Sequence, residues 1–185
     1  MIIDNENCFT TGASSLVTPG FVPSQTLTGF AVATTALANV IDSGPLGGQN
    51  TQAPVVNTGR DFGMGYPTWL YLLFIAAPTS GGGATIDVQL VTSAAPTLTS
   101  PTVMLDLTGG AQAFNGTKFA AGTAYRVPMP RAGMFVTTLN PLGWLRYIGV
   151  NIIVATAALT GGTISAFLSR DIQDNLIYQA GFTLS

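Results

Sequence analysis

The chain has 185 residues, of which 47 % are apolar and only 8 % charged, against roughly 25 % charged in an ordinary soluble domain. It has no histidine, one cysteine (Cys8) and a net charge of −2 from six Lys plus Arg and eight Asp plus Glu. These counts exclude a disulfide framework, a Cys-rich zinc site and a His-based triad within one chain, and argue against a nucleic-acid groove or an anionic membrane surface.

In chain order, residues 1 to about 30 carry short apolar pieces, Leu16-Val17 and Phe21-Val22, broken by Pro19-Gly20 and Pro23. They read as an arm crossing a surface rather than a core strand. The start, Met1 to Glu6, is acidic and lacks a basic region followed by an apolar run, so no signal peptide is expected. Phe30 to Asn39 is rich in Ala and Thr and looks helical, yet its β-branched residues favour a loop running into a strand at Ala38–Asp42. Residues 43 to 58 are a Gly, Pro, Gln and Asn loop.

Trp69–Ile75 and Tyr147–Val154 are apolar on both faces. Aromatic and β-branched content, with Pro67 and Pro78 flanking the first, makes them strands rather than helices. The longest apolar run, Trp69 to Ala77, has nine residues, too short for a helix to span a bilayer. Period-two alternation marks further strands: Ile86, Val88 and Leu90 against Thr85, Asp87 and Gln89; Val103, Leu105 and Leu107 against their neighbours; and Ile164, Ala166 and Leu168, where Phe167 is the apolar exception. Glycine and proline, among them Gly109-Gly110 and Gly161-Gly162, punctuate these runs as breaks between strands, and short strands at such spacing indicate a sandwich or barrel. Gly81-Gly82-Gly83 precedes a strand rather than a helix, so it reads as a hairpin turn and not a phosphate loop. Asn115-Gly116-Thr117 formally matches a glycosylation sequon, but Asn-Gly is a strong hairpin signal and the turn reading is preferred.

Strands apolar on both faces need cover outside the sandwich, from a neighbouring subunit or from the chain's own N-terminal segment. A surface built from Thr, Ser, Asn, Gln, Gly and Ala fits either an assembly partly covered by neighbours or a neutral extracellular β-domain. Charged residues are so rare that their positions are informative. Arg60 and Asp61, within Gly59–Pro67, and Arg170 and Asp171, after the last strong strand, are candidate anchors for loops or subunit boundaries. Acid catalysis would need two carboxylates at one site. Asp61, Asp106, Asp171 and Asp174 are available, but without histidine a carboxylate pair would carry proton transfer largely alone, and no catalytic, metal or cofactor residue is assigned. Asp87 and Asp106 are expected on solvated strand faces. Cys8 reads as an incidental thiol in the arm.

Several segments, in order, resemble the jellyroll capsid cement (decoration) proteins of tailed bacteriophages, of the type found on a Bordetella phage. They are Ala38–Gly44; Gly59–Gly65 leading into an apolar strand; Asp87–Ser93 followed by Ser100-Pro101-Thr102; Leu145–Ile148; Leu159–Thr163; and Ser169–Asn175. The resemblance covers roughly residues 38 to 175 and implies an all-β, jellyroll-like antiparallel sandwich. The expected division is an N-terminal arm over residues 1–37 and a sandwich over 38–185. It further implies a structural virion protein, homodimeric, on the outer surface of an icosahedral head, bridging copies of the major capsid protein. No catalytic residue or cofactor comes with it, so no enzyme activity is expected, and the charge balance leaves no nucleic-acid or membrane partner expected. The candidate interface residues are Arg60, Asp61, Trp69, Trp144, Arg146, Arg170 and Asp171, and the arm is expected to pair with a neighbour's sheet edge. The alternative is a glycan-binding host-recognition sandwich of a head or tail fibre, using the aromatics Tyr66, Trp69, Tyr125 and Trp144.

Overall fold

A computed structural model describes residues 8–10, 24–42, 68–113, 118–129 and 145–169. Among them there is no helix, and the strands are β1 (Gln25–Thr26), β2 (Thr34–Ala36), β3 (Ile41–Asp42), β4 (Trp69–Ser80), β5 (Thr85–Ser93), β6 (Thr102–Asp106), β7 (Gln112–Ala113), β8 (Ala124–Pro128), β9 (Tyr147–Ala155) and β10 (Leu159–Ser169). They form two antiparallel sheets packed face to face, one ordered β1-β10-β4-β8 and the other β2-β9-β5-β6, with β3 also on β9 and β7 also on β5.

Because β2 and β3 share one neighbour, and β6 and β7 another, the ten described strands fill eight positions. The first position then pairs with the last, the second with the seventh, the third with the sixth and the fourth with the fifth. That is one long hairpin of strand pairs rolled up, closed by β10 on β4 and β9 on β5: a jelly roll.

The core follows from the alternation. Leu70, Leu72 and Phe74 of β4 and Ile164, Ala166 and Leu168 of β10 face Ile86, Val88 and Leu90 of β5 and Ile148, Val150, Ile152 and Val154 of β9. Each of these side chains except Ala166, once fully buried, contributes about 1.5–3 kcal/mol relative to exposure. Within the span read as an arm, Phe9, Leu27 and Leu37 belong to the same core. Residues 24–37 supply β1, at the edge of one sheet, and β2, at the edge of the other. Residues 8–10 lie along β10: the Phe9 amide donates to the Ala166 carbonyl at 2.8 Å, and the Asn39 amide donates to the Phe9 carbonyl at 2.9 Å.

Three local expectations change. Gly81-Gly82-Gly83 is not a hairpin turn, because β4 and β5 lie in different sheets; it carries the chain across the sandwich, with Gly83 at φ 66° and the Ala84 amide donating to Ser80 Oγ. Gly161-Gly162 does not separate strands but lies inside β10, at a bulge against β4. A side chain on Gly162 (φ 118°) would place its Cβ 2.7 Å from Pro78 Cα, so only glycine admits this approach. Asp87 is not on a solvated face: it is 6 % exposed, because the turn after β6 folds over it. The Thr108 hydroxyl and Gln89 Nε2 donate to its two carboxylate oxygens, and the Thr108 hydroxyl accepts the Val88 amide. The Asn115-Gly116 turn lies outside the described residues.

Candidate functional site

The alternation that sends Leu70, Leu72 and Phe74 inward sends Trp69, Tyr71, Leu73 and Ile75 to the outer face of the four-stranded sheet. Tyr71 is the register partner of Phe167 on β10 and of Arg126 on β8, and Phe167 bridges to Cys8. Four side chains from four segments therefore form one row across the sheet: Cys8, Phe167, Tyr71 and Arg126. The Tyr71 and Phe167 rings stack 5.3 Å apart and 2° from parallel, and the Arg126 guanidinium sits 5.9 Å from the Tyr71 centroid. Such stacks and cation–π contacts each contribute about 0.5–1.5 kcal/mol beyond area burial. Cys8, Tyr71 and Phe167 are all buried, with Trp69 packed against them. Trp69, opposite Ser169 and Pro128, buries its indole Nε1 with no hydrogen-bond partner among the described residues.

The second feature lies at the end of the other sheet. Arg146 precedes β9 and Asp42 ends β3, and the pairing of Asp42 with Tyr147 brings them together. The guanidinium grips both carboxylate oxygens, Nε to Oδ1 at 2.8 Å and Nη2 to Oδ2 at 2.7 Å, and lies 5.0 Å from the Tyr147 ring centroid. The hydrogen bond to Asp42 raises the Arg146 pKa above its ordinary value. Both side chains are well exposed, so the pair orients more than it stabilises.

Among the described residues, the carboxylates of Asp87 and Asp106 are engaged in structural hydrogen bonds. Burial raises the pKa of Asp106, but hydrogen bonds from the backbone amides of Gly109, Thr108 and Gly110 outweigh it and hold the carboxyl below its ordinary 3.8. Among the described residues no group of three or more His, Cys, Asp or Glu is placed to hold a metal ion. Tyr125, a candidate sugar platform, packs edge-on to Phe74 and donates its hydroxyl to the Lys118 carbonyl at 2.8 Å; burial pushes its pKa up from 10.0. Its ring therefore belongs to the core margin rather than to an open aromatic shelf.

Of the residues singled out from sequence, the structure places Trp69 beside the aromatic row and Arg146 in the ion pair with Asp42, on different sheets. Arg60, Asp61, Trp144, Arg170 and Asp171 lie outside the described residues, as does Tyr66. Sequence reasoning did not name Tyr71, Arg126 or Asp42 as site residues, noted Phe167 only as the apolar exception in its strand, and set Cys8 aside. Phe167 carried a usable signal: it breaks the alternation of its strand, and an apolar residue on the outward phase marks a covered outer face.

Cover for these outer faces comes in part from the chain itself. Cys8 closes one end of the aromatic row, and Leu98, from the loop after β5, lies over Gly149 of β9. Exposed large apolar side chains among the described residues are Val32, Ile75 and Val103.

The family model named Bbp16 matches residues 21–168, a span that runs from just before β1 almost to the end of β10. No curated protein matches the chain.

Proposed function

The chain belongs to the Bbp16 family, a family of Bordetella phage proteins, and on that premise we propose that it is a capsid cement protein. In this reading it binds the outer surface of an icosahedral phage head as a homodimer and bridges copies of the major capsid protein. The observation that carries the reading is the family match across the whole jelly roll. A surface poor in charge supports it, since such a surface is easier to desolvate against a protein partner than one rich in Lys or Glu. The reading assigns the chain no catalytic step and no cofactor.

The mechanism is mass action. A ligand that binds the assembled shell and not its separated parts stabilises the shell by RT ln(1 + [L]/Kd), about 2.7 kcal/mol per site at a hundredfold excess over Kd. Repetition by symmetry multiplies that term over the lattice, and a dimer that engages two sites gains further by effective concentration. Among the described residues, Trp69 and Arg146 are the contact candidates: an aromatic beside a rigid stacked row, and a guanidinium held in a fixed orientation by Asp42.

The test is reconstitution. Purified protein is added to heads stripped of it, and co-sedimentation and the temperature of DNA release are measured. The reading expects saturable binding and a higher release temperature. Failure to bind heads, together with retention on host-cell glycans, would transfer the assignment to the fibre-module alternative.

A further inference from the structure

The loop after β5 has a construction that neither the fold nor the proposed function uses. Leu98 and Ser100 both adopt left-handed backbone, at φ 53° and 49°, a region that non-glycine residues occupy only when their surroundings hold them there. From Ala94 to Ser100 the one buried side chain is Leu98. It occupies the space that a Cβ on Gly149 would fill, since that atom would lie 2.3 Å from Leu98 Cδ1 and 3.2 Å from Cδ2. Beneath it, Gly149 is the register partner of Val91, which is also fully buried and on the outward phase of β5. The loop's hydrogen bonds are local: Ala95 amide to Ser93 Oγ, Ser93 Oγ to the Thr99 carbonyl, Leu98 amide to the Ala95 carbonyl, and Thr97 Oγ1 with Thr99 Oγ1.

A strained loop stapled to its own base and seated by one side chain is a unit that can open without the sandwich. We propose that residues 94–100 form a latch, held shut by Leu98 in the notch at Gly149, whose opening uncovers the Val91–Gly149 strip of the six-stranded sheet. The strain at Leu98 and Ser100 favours the open state and the seating of Leu98 favours the closed one. Apolar surface on that sheet is therefore set by a local equilibrium rather than by global stability.

Hydrogen exchange on the full chain tests this with two variants. Gly149→Ala puts a methyl where Leu98 sits and evicts it; Leu98→Ala withdraws the anchor and leaves β9 untouched, so it decides the matter alone if the first variant fails to fold. In both, the Ala95 and Leu98 amides are expected to exchange about tenfold faster or more, a change of about 1.4 kcal/mol in opening free energy. The amides of β5 and β9 keep their protection, and binding of an apolar dye rises. Loop exchange that stays unchanged, or strand amides that accelerate by the same factor, would overturn the latch.

Discussion

Replacing Phe9 by alanine should cost as much as deleting a central core residue, although Phe9 is the ninth residue of the chain, in a segment that reads as a surface arm. Its ring is fully buried in the core, and its backbone bonds Ala166 on β10 and Asn39 before β3, so it ties both sheets together at their edges. A buried Phe→Ala change costs about 3–5 kcal/mol, against a total stability of about 5–15 kcal/mol for a typical domain. With a urea slope of about 2 kcal/mol/M, the unfolding midpoint should fall by about 2 M. Equilibrium urea unfolding followed by tryptophan fluorescence measures it, with Val32→Ala, at an exposed position, as the control expected to stay within about 0.5 kcal/mol. Deleting residues 1–10 should cost at least as much, because the backbone bonds go as well. A loss under about 1 kcal/mol would refute the reasoning and make residues 8–10 a detachable appendage.

Other outcomes follow from the same geometry. A double-mutant cycle of Tyr71→Leu and Phe167→Leu should give a coupling of about 0.5–1.5 kcal/mol from the stacked pair, read as urea unfolding free energies. Asp87→Ala strands the Thr108 hydroxyl and the Gln89 amide and should cost about 1–3 kcal/mol in the same assay. Because the folded pKa of Asp106 is depressed, its contribution is present above the unfolded value and is lost as pH falls through the folded one. Melting temperature should therefore drop with acidification below about pH 4, and the drop should be shallower in Asp106→Asn. Asp42→Asn should lower the melting temperature slightly at low salt, with the difference from wild type shrinking as salt is added, since the Arg146 pair is exposed.

The sandwich was legible where strands are long and central. β4 and β9 declare themselves by aromatic and β-branched content, and Ile86, Val88 and Leu90 by alternation. Edge strands were less legible. β2, Thr34–Ala36, is an Ala/Thr stretch that pairs only with β9 and needs no apolar face of its own. The glycine triplet at 81–83 looked like a hairpin because local composition cannot distinguish a turn to the neighbouring strand from a crossing to the opposite sheet. Asp87 looked solvated because its cover, the turn at Thr108, comes from the next strand over. The candidate site divides in the same way. Trp69 and Arg146 were visible as rare residue types beside apolar strands. The row that Trp69 adjoins was not, because it is assembled from Cys8, Tyr71, Arg126 and Phe167, which only register brings together.

As a cement protein, the chain is a repeated component of a phage head. Its copy number in purified virions, by quantitative mass spectrometry against the major capsid protein, tests that most directly. A cement role gives a number comparable with that of the shell protein. A count of only a few per particle, or absence from the particle, would contradict it.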